Sequence, residues 1–351
     1  MLTKGLVVML DERKQKILLA IIQDYIATAE PVGSRTISRK YELGVSPATI
    51  RNEMADLDEM GFIEQPYTSA GRIPSDKGYR YYVDFLMEKY PLSAEVQQAV
   101  RERFKRKLSD LEEVIRTTGE LLSNMTDYIA ITLGPQVKQS ALRHIELSRI
   151  SLNRGLLVVV TDSGAVEHRF FDLPESVTSE ELRAISKVLT DKLRGITLDM
   201  VTKTILEEIY INLAVRRRLL DAILNLIESI LSESDETKVF FCGTRNILKQ
   251  PEFKNIEKLQ FLLGFLEEER LVKDLVSQQL LSEGLTIKIG GENSYEGVHD
   301  CSLITATYRV GGEVVGTVSV LGPTRMDYSK AVAVVEFVTE ALSDSLTKYY
   351  G

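Results

Sequence analysis

The sequence predicts a multi-domain α and α+β protein: an N-terminal winged helix-turn-helix, then an α+β sheet domain interrupted by a mainly helical insertion. Three observations predict it. A serine-capped helix starting after Ser46 follows a short helix and a glycine turn, and precedes an extended–turn–extended stretch. Runs with period-two alternation occur at about 142–173 and again between 286 and 322. A long helical block lies between those groups, and strands, helices and strands again fit one sheet domain carrying an insertion. A length of 351 residues suits two to three domains.

The first helix is expected over Asp11–Ala29, with Ile17, Leu18, Ile21, Ile22 and Tyr25 on one broad face. Pro31 ends it, because proline cannot extend the ladder and biases its predecessor away from helix. A short helix over Ser34–Tyr41 points Ile37 and Tyr41 inward and Arg35 and Arg39 outward. Gly44 turns the chain. Ser46 then caps a third helix with Pro47 at its first position, where a missing N–H costs nothing. Ile50, Met54 and Leu57 form its apolar stripe, and Gly61 stops it. Phe62–Pro66 is extended, Thr68–Gly71 turns, and Arg72–Pro74 returns. Ser75 caps a fourth helix with Tyr79, Tyr82, Val83 and Leu86 facing inward. Residues 91–140 read as mostly helical. Three antiparallel strands (HIELSRISL, GLLVVVTD, AVEHRFFDL) follow, then helices over 179–232, a strand at KVFFCGT, and a helix near 258–282. Three strands and a helix over Tyr328–Tyr350 close the chain. The corresponding boundaries are 1–90, 91–195, 196–282 for the insertion, and 283–351.

Helix-turn-helix motifs place the leading end of their second helix in the DNA major groove, where each base pair shows a distinct pattern of donors and acceptors. With Ile50, Met54 and Leu57 buried, Ala48, Asn52, Ala55 and Glu59 face outward, with Thr49 and Arg51 on the flanks. Arg51 suits a bidentate contact to guanine and Asn52 one to adenine, while Ser46 and Thr49 suit phosphate or base edges. Arg35, Arg39, Lys40, Arg72, Lys77 and Arg80 cluster with Arg51 on this helix-turn-helix and its wing. Gly71 lets the hairpin tip protrude, Arg72 reaches phosphate or the minor groove, and Lys77 and Arg80 grip the flanking backbone. Arg35 and Arg39 by themselves also fit a solvated face, and Tyr79 and Tyr82 read as core rather than contact.

Net charge is −8, so total charge does not predict nucleic-acid binding. The first ninety residues are nearly neutral, and placement of the cations carries the inference. Cys242 and Cys301 are far apart in apolar runs, which fits buried thiols in a reducing compartment. His144, His168 and His299 have no ligand spacing, and no P-loop, GxSxG, HExxH or dinucleotide fingerprint occurs. Neither enzyme, metal nor cofactor is expected. The apolar run at Leu6–Leu10 is too short for a signal core and no run suits a membrane span, so a cytoplasmic protein without membrane contact is expected. The helix Val201–Leu231 carries more apolar surface than one face needs, which suits a dimer interface and equally an ordinary buried helix. Arg216–Arg218 reads as a solvated face.

The segments EPVGSRTIS, SPATIRNEMADLDEMGFIEQP and SAGRIPSDKGYRYYVDFL closely resemble the heat-inducible transcription repressor family HrcA, densely over Pro31–Leu86. A weaker resemblance continues through VFFCGTRNIL and EGVHDCSLITATYRVGGEVVGTVSVLGPTRMDYSKAVAVVEFVTEAL. The resemblance implies a winged-helix domain, a GAF-like domain and a dimerising insertion within it. It implies a homodimer that binds double-stranded DNA at an inverted-repeat operator of chaperone operons, with activity maintained by the chaperonin and lost on heating. An inverted repeat requires two-fold protein symmetry. The other reading is a winged-helix regulator whose GAF-like domain senses a small-molecule effector.

Overall fold

A computed structural model describes residues 9–105, 111–134, 141–162, 166–197, 209, 217–233, 238–278 and 284–350. Three helices open the chain: α1 Glu12–Thr28, α2 Ser34–Lys40 and α3 Pro47–Glu59. The Asp11 carboxylate caps α1 by accepting from Lys14 N at 2.9 Å. Ala29, left-handed at φ 58°, stops α1 before Pro31 is reached. Ile17, Leu18, Ile21 and Ile22 of α1 meet Ile37 of α2 and Ile50, Met54 and Leu57 of α3 in one core.

After α3, Gly61 turns at φ 74°. Strands β1 Ile63–Glu64 and β2 Ile73–Pro74 then pair antiparallel. Val32 joins this ribbon by exchanging two backbone bonds with Arg72, at 2.8 and 2.9 Å. That exchange changes the reading of Gly71. A Cβ there would lie 2.6 Å from the Val32 carbonyl, so glycine is needed for close backbone approach rather than to slim a protruding tip. The residue with positive φ in the turn is Ser69, at 68°. Helix α4, Asp76–Tyr81, continues into a π-helical turn over Tyr82–Leu86, and α5 spans Ala94–Lys105.

Helix α6, Leu111–Thr126, leads into strand β3, Ile129–Leu133, inside the stretch expected to be mostly helical. All five residues of β3 are buried. A strand covered on both faces shows no alternation, which is why its period was invisible. It lies in a five-stranded antiparallel sheet of order β7-β3-β10-β9-β8, where β7 is Val239–Cys242, β8 Leu285–Ile289, β9 Cys301–Val310 and β10 Glu313–Pro323. The terminal helix, Tyr328–Tyr350, packs on one face with α5, α6 and the N-terminal helices, and this whole side forms one continuous core. Two 3-10 turns, Thr244–Lys249 and Pro251–Lys254, and the helices Ile256–Glu267 and Glu269–Ser277 fill the other face.

Strands β4 Leu142–Ser151, β5 Arg154–Thr161 and β6 Val166–Asp172 form a separate three-stranded antiparallel sheet. The expectation that they share a sheet with the closing strands is therefore corrected, because alternation reports which face is buried but not which strand is the neighbour. Helix α7, Ser179–Leu193, and helix α8, Arg217–Glu233, complete this lobe. The Ser186 hydroxyl accepts from Leu147 N at 2.8 Å, and the Thr190 hydroxyl bonds both N and O of Ile145 at 3.0 Å. These bonds satisfy backbone groups of β4 that an outer strand would otherwise leave open. Of the expected helix Val201–Leu231, residues 201–208 and 210–216 lie outside the described residues. Among the described residues, no helix is long and apolar enough to cross a membrane.

Candidate nucleic-acid interface

The geometry of the first ninety residues is governed by α3. The Ser46 hydroxyl accepts from Thr49 N at 3.2 Å and lies 3.0 Å from the Thr49 hydroxyl, so both side chains belong to the cap. Burial of Ile50, Met54 and Leu57 turns Ala48, Arg51, Asn52 and Ala55 to solvent. The start of α2, the exposed side of α3 and the turn before β2 enclose an open cleft of about 410 Å³. Arg35, Arg51, Ala55, Ser69, Gly71 and Arg72 line it. Three arginines far apart in sequence thus converge on one concavity, an arrangement that suits a phosphate backbone.

Two acidic residues of α3, Glu53 and Asp56, are paired with lysine or arginine. Lys14 Nζ lies 2.7 Å from Glu53, 3.0 Å from Asp56 and 3.2 Å from Asp11, and the Glu53 and Asp56 hydrogen bonds raise its pKa well above the ordinary ammonium range. Arg13 adds a contact to Glu53 at 3.3 Å. These pairs brace α3 against the start of α1. Lys14 was not singled out from the sequence, since its partner Glu53 stands 39 positions later in the chain.

The other predicted cations occupy different places. Arg39 is exposed on α2 outside the cleft. Arg72 Nε lies 2.8 Å from Asp58 Oδ2, so this residue ties β2 to α3 while its side chain borders the cleft. Lys77 donates to the Met60 carbonyl at 2.7 Å and covers the Phe62 ring at 4.5 Å, where it caps the far end of α3. Arg80 faces the sheet domain: it donates to Glu292 at 2.9 Å and to the Ile287 carbonyl at 2.6 Å. Neither residue joins the cleft, because each finds a partner that sequence spacing does not reveal. Ser34 and Ser69 line the cleft and were missed; the SAGR turn was the available signal for Ser69.

Burial raises the Cys301 thiol far out of the reactive range and also raises Cys242. Among the described residues, no group of three His, Cys, Asp or Glu side chains is arranged to hold a metal ion.

Residues 112–332 match the model of the HrcA protein C terminal domain. The heat-inducible transcription repressor HrcA of Pelotomaculum thermopropionicum is 50% identical over 339 residues, covering 97% of each chain. That of Moorella thermoacetica is 49% identical over 342 residues, covering 97% of this chain and 99% of the relative. A crystal structure described as a hypothetical protein at 2.2 Å resolution is 26% identical, with a TM-score of 0.64 over 97% of this chain and 99% of that one. The family is named for repressing transcription rather than for an enzymatic activity. The match through the sheet domain and inserted lobe, with near full-length identity of about half, makes the chain a member of the HrcA family of heat-inducible transcription repressors.

Proposed function

We propose that the chain is a homodimeric repressor of heat-shock chaperone operons, and that residues 1–90 act as a winged helix-turn-helix on an inverted-repeat operator. One observation carries this reading: α3 and the adjoining turn present Arg51, Arg35 and Arg72 around one open cleft, with Asn52 exposed beside Arg51 on the same helix. In this reading Arg51 and Asn52 read base edges. Ser46, Thr49, Arg35 and Arg39 hold phosphates. Arg72 joins them at the wing while keeping its brace to Asp58. Lys77 and Arg80 shape the unit instead of contacting DNA.

The five-stranded sheet with helices on both faces is assigned as the GAF-like domain. Its dimerising insertion is drawn at 142–233 rather than 196–282, following the separate pairing of β4, β5 and β6. Exposed apolar side chains on that lobe favour self-association through it: Ile150 is 56%, Leu152 72%, Val166 60% and Phe170 50% exposed. The described apolar side chains filling both faces of the large sheet favour a repressor governed by its own fold over one that senses a small effector. Maintenance of activity by the chaperonin is part of the same proposal and comes from the family.

Fluorescence anisotropy with the inverted repeat upstream of the organism's own chaperonin operon, with and without chaperonin, tests it. The Arg51→Ala variant should lose about 1–3 kcal/mol on operator DNA and less on random duplex. Equal loss on both removes the base-reading role, and absence of operator binding at low ionic strength removes the function.

A further inference from the structure

The DNA-reading unit is fixed to the sheet domain by three sets of contacts. At the first, Arg80 donates to Glu292 and to the Ile287 carbonyl, while the Asp76 carboxylate accepts from Gly291 N at 2.8 Å. Gly290, at φ 50°, makes that approach possible: a Cβ would lie 2.1 Å from an Asp76 carboxylate oxygen. At the second, Arg325 on the turn after β10 donates to Glu252 at 2.5 Å and to the Ile26 carbonyl at 2.5 Å in the last turn of α1. At the third, Tyr79 and Tyr82 pack on Tyr328 with ring centroids 5.6 and 6.5 Å apart. Even the connector between the units is held, since Ser329 donates to the Glu88 carbonyl at 2.6 Å.

Contacts made from α1, α4 and the π-helical turn, added to a core shared with the sheet domain, hold the unit rather than tether it. In a two-fold assembly the two copies of α3 would then stand at a fixed distance and a fixed relative rotation. DNA makes demanding use of both quantities. Each base pair added between half-sites moves them apart by about 3.4 Å and rotates them by about 35°, from a repeat of 10–10.5 base pairs per turn. A flexible tether would absorb such a change; a clamped junction passes it to the DNA as twist and bend.

We infer that this junction sets the half-site spacing the protein accepts, with Glu292 and Arg325 acting as positioning residues for spacing while α3 reads sequence. The inference rests on the DNA-reading function proposed above. Glu292 and Arg325 stand on the sheet-domain side and outside the cleft, so replacing them leaves the reading residues in place.

The test uses the full chain and a half-site selected by the wild type from randomised DNA. Inverted pairs of it are built with spacers stepped by one base pair. The wild type is expected to show one optimum and to lose about tenfold in affinity per base pair off it, from the cost of deforming the duplex. Glu292→Gln, and Glu292→Gln combined with Arg325→Gln, should flatten that dependence at least about threefold, as a looser tether does, while single-base discrimination within the half-site stays at the wild-type ratio. A weakening that is equal at every spacer length overturns the positioning role and leaves DNA reading intact. A wild type that selects no half-site overturns both. Glu292→Gln guards the test against misfolding, because this side chain lies at the surface with 38% exposure.

Discussion

The two sheets share antiparallel pairing and differ in what covers them. The five-stranded sheet is packed on both faces, by the N-terminal and C-terminal helices on one side and by the helices of residues 256–277 on the other. Among the described residues, the three-stranded sheet is packed on one face by α7 and α8, while β5 and β6 alternate more buried and more exposed residues. A sheet buried twice tolerates little change and holds other units in place. A sheet buried once keeps a face free for contact at little cost to its own fold.

The largest test of that contrast is Ile304→Ala in β9. Ile304 is fully buried in the core shared with the N-terminal helices. Urea unfolding should show a loss of about 2–5 kcal/mol. A loss below about 1 kcal/mol would mean that the site collapses freely and is no scaffold.

Alkali provides the next test. Burial pushes the Tyr82 phenol from 10.0 up to about 12. Between these values the unfolded chain releases the proton and the folded chain keeps it, so stability falls with rising pH. It is present in full below pH 10 and is lost as pH climbs toward about 12. A shift of this size corresponds to about 2–3 kcal/mol for one group. Tyr82→Phe should therefore unfold less steeply in that window than the wild type, and matching pH profiles would remove the assignment.

In the smaller lobe, Thr178 and Glu181 form a reciprocal cap on α7. Thr178→Ala should cost about 1 kcal/mol. Hydrogen exchange is expected to show that cost in β4 and α7 and not in β9, which would separate the lobe from the large sheet as a local unit. The smallest effect on folding belongs to Phe170→Ser on the open face. Chain stability should stay within about 0.5 kcal/mol. Sedimentation should reveal weaker self-association if copies meet through this lobe, and an unchanged association constant would place the contact elsewhere.

Elements whose cause is local were legible in the sequence. The capped start of α3, the stripe Ile50–Met54–Leu57, the period-two runs of β4 to β6 and the closing helix follow from neighbours a few positions away. What escaped depended on distant partners. Strand β3 is hidden because its residues are buried on both sides. Strands β4 to β6 read as part of the large sheet because three good strands do not announce which sheet they join. Arg80 looked like a backbone-gripping cation because its partner Glu292 lies 212 positions away. The cleft was legible in part: Arg35, Arg51 and Arg72 belong to the cation cluster read from the sequence, but which of those cations share one cleft depends on contacts such as the Val32–Arg72 bridge, which no spacing rule contains.

The unbroken core running from α1 through Tyr328 to the large sheet has a calorimetric consequence. Regions that share buried side chains do not melt one after the other, so a single endotherm should cover the reading head and its platform together. Warmth that disorders the platform would then release promoter DNA in the same step, and the thermometer would be the cooperativity of the fold itself.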